Sequence, residues 1–177
     1  MEINPSSSGQ HKWIPTVTDY FTKWIEAIPT WQATDAVIIQ FLEENILSRF
    51  GVPRILITDN ADAFKSKKMV NFCHKYHIHL GHSTAYYPQG NGLAESSNKS
   101  LMRIIKKLLQ ENKKAWHSKL MHALWTDWIS MKNSISTSPF QLVYGSDVIF
   151  SSSLSLPVRK LLQEEEAKMD PACRRAY

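Results

Sequence analysis

The chain has 177 residues, 43% of them hydrophobic, which is enough for one well-buried core and argues for a single globular domain. No apolar run approaches the roughly 20 residues that a membrane-spanning helix needs, and no charged-then-apolar leader opens the chain, so a soluble intracellular protein is expected. The two cysteines, Cys73 and Cys173, lie too far apart in sequence to read as a disulfide framework. The formal net charge is +5, but its distribution carries more information: residues 99 to 119 hold seven basic side chains against one acid, Glu111. Basic charge gathered on one element is the footprint of a polyanion, although a lysine-rich helix is also a common solvated face.

Pro5, the serines at 6 to 8 and Gly9 mark an opening loop. Residues 13–17 and 23–28 are short runs rich in Trp, Ile, Val and Thr around a polar stretch, the pattern of a hairpin in which Pro15 belongs at an edge. A helix follows, with Thr34 or Asp35 as N-cap, Val37, Ile38, Phe41, Leu42 and Leu47 at helical spacing, and Gly51 and Pro53 as stop signals.

Ile55, Leu56 and Ile57 form an unbroken apolar run, read as a strand buried on both faces that delivers Asp59 at its C-terminal end. Strand ends of this kind favour ligand sites in open α/β sheets. A helix from Ser66 is expected to carry Met69, Val70, Cys73 and Tyr76 inward, with a strand over residues 78–82 after it. Pro88, Gly90 and Gly92 make residues 86–92 a turn-rich loop.

The helix over residues 93–111 is the most legible segment. At 100° per residue, Ala94, Leu101, Ile104, Ile105 and Leu108 form one stripe, while Glu95, Lys99, Arg103, Lys106 and Gln110 share the opposite side. A helix over residues 115–131 presents Trp116, Leu120, Leu124 and Trp128, and Ser138-Pro139 opens another as N-cap and N1. Trp116, Trp125 and Trp128 read as core or subunit interface rather than an open stacking groove. After Gly145 the chain turns serine-rich, and residues 161–169 read as an exposed helical extension.

Asp59 and Glu95 are separated by 35 residues. Paired carboxylates are what a hard divalent cation takes beside substrate phosphates, and two ionised carboxylates about 4 Å apart without a cation would repel by about 4 kcal/mol at an effective dielectric of 20. Spacing alone also permits a plain alternative, with Asp59 capping a turn and Glu95 a solvated first-turn glutamate. The histidines at 74, 77, 79 and 82 with Cys73 match none of the usual zinc-ligand spacings.

Four segments tip the balance between these readings. Val17-Thr18-Asp19-Tyr20-Phe21-Thr22-Lys23-Trp24, Ile57-Thr58-Asp59-Asn60, the stretch from Tyr87-Pro88-Gln89-Gly90 to Glu95, and Thr137-Ser138-Pro139-Phe140 through Tyr144-Gly145 closely resemble the integrase of Ty3/gypsy-type retrotransposons, particularly those of plants. The resemblance spans roughly residues 3 to 165. It implies an α/β, ribonuclease H-like mixed sheet flanked by helices, with a core over residues 1–150 and an exposed extension over 151–177. It also implies a three-acid site for Mg²⁺ or Mn²⁺, in which Asp59 matches the second aspartate and Glu95 the glutamate.

Asp19 belongs to the hairpin after the family's first acidic strand, so the resemblance implies that the first strand and its aspartate are missing here, and with them activity. The family's glycine after Asp-Asn is Ala61, followed by Asp62, and its glycine before Thr137 is Ser136. The resemblance implies double-stranded DNA, the element's ends and the host target, as partner, with Lys99, Arg103, Lys106, Tyr87 and Gln89 as contacts. It implies a nuclear setting and a homo-oligomer. A non-catalytic nucleic-acid-binding or protein-interaction remnant is the alternative, and a free-standing ribonuclease H-like nuclease fits the acids but not the integrase-like tail.

Overall fold

The computed structural model describes residues 1–83, 92–109 and 112–148. The hairpin forms as expected in type but shorter: β1 (Thr16–Thr18) pairs antiparallel with β2 (Ile25–Ala27), Val17 opposite Glu26. Trp13 stays outside the ladder and bridges Glu2 on one side and Thr30 on the other. Asp19 closes the turn, its Oδ2 accepting from the amides of Phe21 and Thr22 and from the Thr22 hydroxyl. An aspartate so used is a turn residue.

Helix α1 (Asp35–Phe41) starts at Thr34, whose hydroxyl accepts from the Val37 amide, and runs through a π-helical segment (Leu42–Leu47) into a last turn, α2 (Ser48–Phe50). Gly51 ends it at φ 85°, a conformation open to glycine at no steric cost. The strand β3 (Ile55–Thr58) then pairs in parallel with β4 (His79–His82) through the short α3 (Asp62–Lys65) and through α4 (Lys67–Lys75), which is capped by Ser66. Of the residues expected to point inward from α4, Met69 and Cys73 are buried, whereas Val70 faces solvent and Phe72 takes its place in the core. After it come α5 (Gly92–Leu109), a 3-10 turn (Lys113–Ala115), α6 (Trp116–Ile129) and α7 (Pro139–Tyr144).

The sheet is mixed, but it stands as two separate two-stranded pieces, β1-β2 antiparallel and β3-β4 parallel. Each piece has its own core. Ile14, Trp24 and Ile25 pack with Leu101 and Ile105 of α5 and with Trp116, Leu124 and Trp128 of α6. Ile38, Leu42, Met69, Phe72, Cys73 and Ile78 form the second cluster, which Val17 and Leu56 flank from the two sheets. Full burial of such side chains contributes about 1.5–3 kcal/mol each.

The strand read as buried on both faces is not. Ile55 is 59% and Ile57 53% exposed, while Leu56 and Thr58 turn toward the second core. Side chains alternate along a strand, and among the described residues no strand joins β3 to β1 and no helix covers the Ile55 and Ile57 side. No helix among the described residues is long and apolar enough to cross a membrane.

Candidate functional site

Asp59 follows the last residue of β3, and the local chain is tied down around it. Thr58 Oγ1 lies 2.9 Å from His82 Nδ1, Ser83 donates its amide to Thr58 O, and Asn60 Nδ2 donates to Ser83 O at 2.7 Å. These bonds fasten the C-terminal ends of the two parallel strands together and fix the direction in which Asp59 leaves them. Its Oδ1 accepts from the Ala61 amide at 3.1 Å, so Asp59 caps its own turn and still presents an exposed carboxylate. Ala61 sits at φ −62°, an ordinary conformation, and needs none of glycine's freedom.

The α-amino group of Met1 lies nearby. It donates to Ile14 O at 3.1 Å, burial lowers its pKa, and the negative charge of Asp59 acts in the opposite direction. Met1 to Ile3 thus run antiparallel to residues 12–14, with Ile14 donating to Met1 O and Ile3 to Lys12 O.

Glu95 stands in the first turn of α5, on the exposed side, where the helix dipole favours a carboxylate. The opposite side is anchored by Leu101, Ile104 and Ile105, as the helical periodicity requires. One turn after Glu95, Asn98 accepts a 2.7 Å hydrogen bond from Thr16 Oγ1 of β1, which sets the rotation of the helix against the hairpin. Lys99, Arg103 and Lys106 follow on the exposed face and, with Met102 and Lys107, line a shallow cleft of about 510 Å³. Arg103 also lies within electrostatic reach of Asp127. Tyr87 and Gln89, expected as DNA contacts, lie outside the described residues, as do Gln110, Glu111 and the extension over 151–177.

Two buried acids were not singled out by the sequence, and one of them lies beneath α5. Asp127 of α6 is 0% exposed and pairs with Lys132, Nζ to Oδ1 2.5 Å, with Ser100 Oγ of α5 at 3.5 Å. Burial nevertheless pushes its pKa up, because desolvation outweighs Lys132. Its signal was present: Asp127 falls seven residues after Leu120 on the apolar stripe, with a lysine five residues on. Glu26 is the other, bound by Trp24 Nε1 at 2.7 Å and Arg49 Nη1 at 2.6 Å, and burial raises its pKa as well.

Residues 1–88 match the family model described as integrase core domain. The Gag-Pol polyprotein of avian reticuloendotheliosis virus is 32% identical over 140 residues, 79% of this chain and 12% of that polyprotein. The Gag-Pol polyprotein of baboon endogenous virus (strain M7) is 30% identical over 87% of the chain and 9% of its own length. The chain therefore spans about a tenth of the length of these two polyproteins.

Among solved structures, the simian T-cell lymphotropic virus intasome in complex with PP2A regulatory subunit B56 gamma gives a TM-score of 0.66 at 21% identity, over 78% of this chain and 54% of that one. The HTLV-2 integrase catalytic core domain in complex with magnesium, in its trimeric form, gives 0.60 at 26% identity, over 76% and 87%. The fold is that of integrase catalytic cores, ribonuclease H-like, with helices packed on short strands. The chain carries an integrase core domain of the retroviral and retrotransposon integrase superfamily.

Proposed function

We propose that this chain is the catalytic-core portion of a Ty3/gypsy-type retrotransposon integrase that binds double-stranded DNA through the exposed face of α5. One observation carries the reading: Glu95, Lys99, Arg103 and Lys106 share a solvent-facing side of a helix whose other side is locked into the core. The lysines and the arginine would meet backbone phosphates, Arg103 in a fork geometry and the lysines as point charges. Such contacts position a duplex without reading its sequence. Tyr87 and Gln89 would extend the same surface, and a nuclear location and assembly into a homo-oligomer follow from the same role.

Asp59 and Glu95 would hold Mg²⁺ or Mn²⁺. The donor chemistry fits: both are exposed carboxylates, oxygen ligands suited to a hard cation, and only one oxygen of Asp59 is engaged by the Ala61 amide. When bound, such an ion supplies charge stabilisation at phosphoryl oxygens. Asp59 and Glu95 would be two of the three acids through which the superfamily chemistry holds its metal. A second reading, a non-catalytic nucleic-acid-binding remnant, draws support from Asp62, an exposed acid that adds negative charge three residues after Asp59.

The test is fluorescence anisotropy with a labelled duplex, run beside a strand-transfer assay in Mg²⁺ and in Mn²⁺. The reading requires duplex binding that weakens when Lys99, Arg103 and Lys106 are replaced by alanine. Equal binding by the variant would overturn it. Strand transfer that persists in Glu95→Gln would overturn the role given to Glu95.

A further inference from the structure

Trp31, just past β2, is 64% exposed, yet its ring is held in place. Its Nε1 donates to Gly9 O at 2.9 Å, and the indole stacks on His11 with centroids 5.1 Å apart and planes 11° from parallel. His11 stacks in turn with His117 of α6 at 5.2 Å, and its Nδ1 lies 3.2 Å from Ser7 Oγ. The loop that crosses these rings is also fixed: Ser8 donates its amide to Lys114 O, and a Cβ at Gly9 would fall 2.9 Å from His11 Nδ1, so glycine lets the loop lie this close. A large aromatic ring is thus immobilised without being covered.

Beside it lies a cleft of about 890 Å³ whose lining includes Ser6, Ser8, Gln10, Lys12, Trp31 and Lys114. Two exposed lysines and no acid line it among the described residues. An apolar protein partner seated on Trp31 would have to desolvate both lysines at a cost. A polyanion with an open aromatic face meets every feature, since any base can stack on the indole, phosphates can pair with lysines, and the serine and glutamine side chains can bond base edges. A duplex keeps its base faces inside the stack and offers mainly phosphates.

We infer that the cleft between Trp31 and the loop over residues 5–12 is a binding site for single-stranded nucleic acid, with one base stacked on Trp31 and the flanking phosphates on Lys12 and Lys114. It is built from the opening loop, the segment after β2 and the 3-10 turn before α6, not from the acids or the exposed face of α5. The site would hold an unpaired DNA or RNA strand while α5 holds duplex.

Anisotropy with a short fluorescein-labelled oligothymidylate and a matched duplex tests it on the full chain. Trp31→Ala is expected to weaken oligothymidylate binding about tenfold and leave duplex binding unchanged, and Trp31→Phe, which keeps a stacking ring, to stay within about twofold of the parent. The same tenfold effect is expected in a background with Lys99, Arg103 and Lys106 replaced by alanine, which separates this site from the duplex site. Unchanged single-strand affinity in Trp31→Ala, or equal losses for both ligands, overturns the inference. Should both Trp31 variants lose their folded circular dichroism signal, Lys12→Glu with Lys114→Glu decides, because neither side chain is buried: reduced single-strand affinity supports the site and unchanged affinity overturns it.

Discussion

Thr16 Oγ1 donates to Asn98 Oδ1 at 2.7 Å across 82 positions of sequence, and this bond ties the hairpin to the helix that carries Glu95 and the basic face. Hydrophobic contact alone would let α5 roll, since Leu101, Ile104 and Ile105 are interchangeable in kind. A partly buried polar pair has one good geometry. A double-mutant cycle of Thr16→Val and Asn98→Ala, followed by urea unfolding, is expected to give a coupling of about 1 kcal/mol. A coupling near zero would mean that the bond sets nothing.

The Asp127 and Lys132 pair makes a larger and pH-dependent contribution. Lys132→Ala leaves a fully buried carboxylate without its cation and is expected to cost about 3 kcal/mol at neutral pH, most of it recovered by adding Asp127→Asn. Folding raises the pKa of both Asp127 and Glu26 above the unfolded carboxylate range. For an acid shifted upward, the native state holds its proton longer, so stability is greatest below about pH 4 for these two groups and falls as pH rises through their native values. Urea midpoints measured between acid and neutral pH should show that slope shrink in Asp127→Asn and again when Glu26→Gln is added.

Ser136 adopts φ 52°, the left-handed region that costs a side-chain-bearing residue about 1 kcal/mol or more. Ser136→Gly removes that strain and gives part of it back in unfolded-state entropy, for an expected net gain of about 0.5 kcal/mol in urea unfolding. A loss of stability would show that the serine side chain earns its place by its own contacts.

The open side of β3 makes a different prediction. Ile57 is 53% exposed on a strand whose outer edge has no partner among the described residues, an arrangement that invites pairing between chains. Ile57→Lys is expected to leave thermal stability within about 0.5 kcal/mol of the parent, as for an exposed site, and to slow aggregation measured by light scattering. A large loss of stability would place Ile57 in the core after all.

Most of the helical architecture was legible in the sequence because caps and periodicity are local. Thr34, Ser66 and Ser138 each accept from an amide three residues on, and Gly51 and Gly145 both end their helices at positive φ. The stripe on α5 was legible for the same reason, down to Leu101 and Ile105 inward and Lys99 and Arg103 outward. The exposure of Ile55 and Ile57 was not, since an apolar run reports what a strand would bury and not which neighbours it has. Phe72 for Val70 is a rotation of one helix face, within the tolerance of a short amphipathic segment. Trp31 escaped because its role depends on partners distant in sequence, Gly9 and His11, whereas Asp127 carried a local signal, its place on the apolar stripe with Lys132 five residues on, that periodicity alone reads as core.

The most direct measurement is the salt dependence of duplex binding by the parent chain and by the variant with Lys99, Arg103 and Lys106 replaced by alanine. Each phosphate contact contributes about −0.9 to the slope of log affinity against log salt. The parent is expected to show a steep negative slope, and the variant a slope shallower by up to about 2.7. A parent with no slope, or a variant with the parent's slope, would contradict the assignment of the α5 face as the surface that binds DNA.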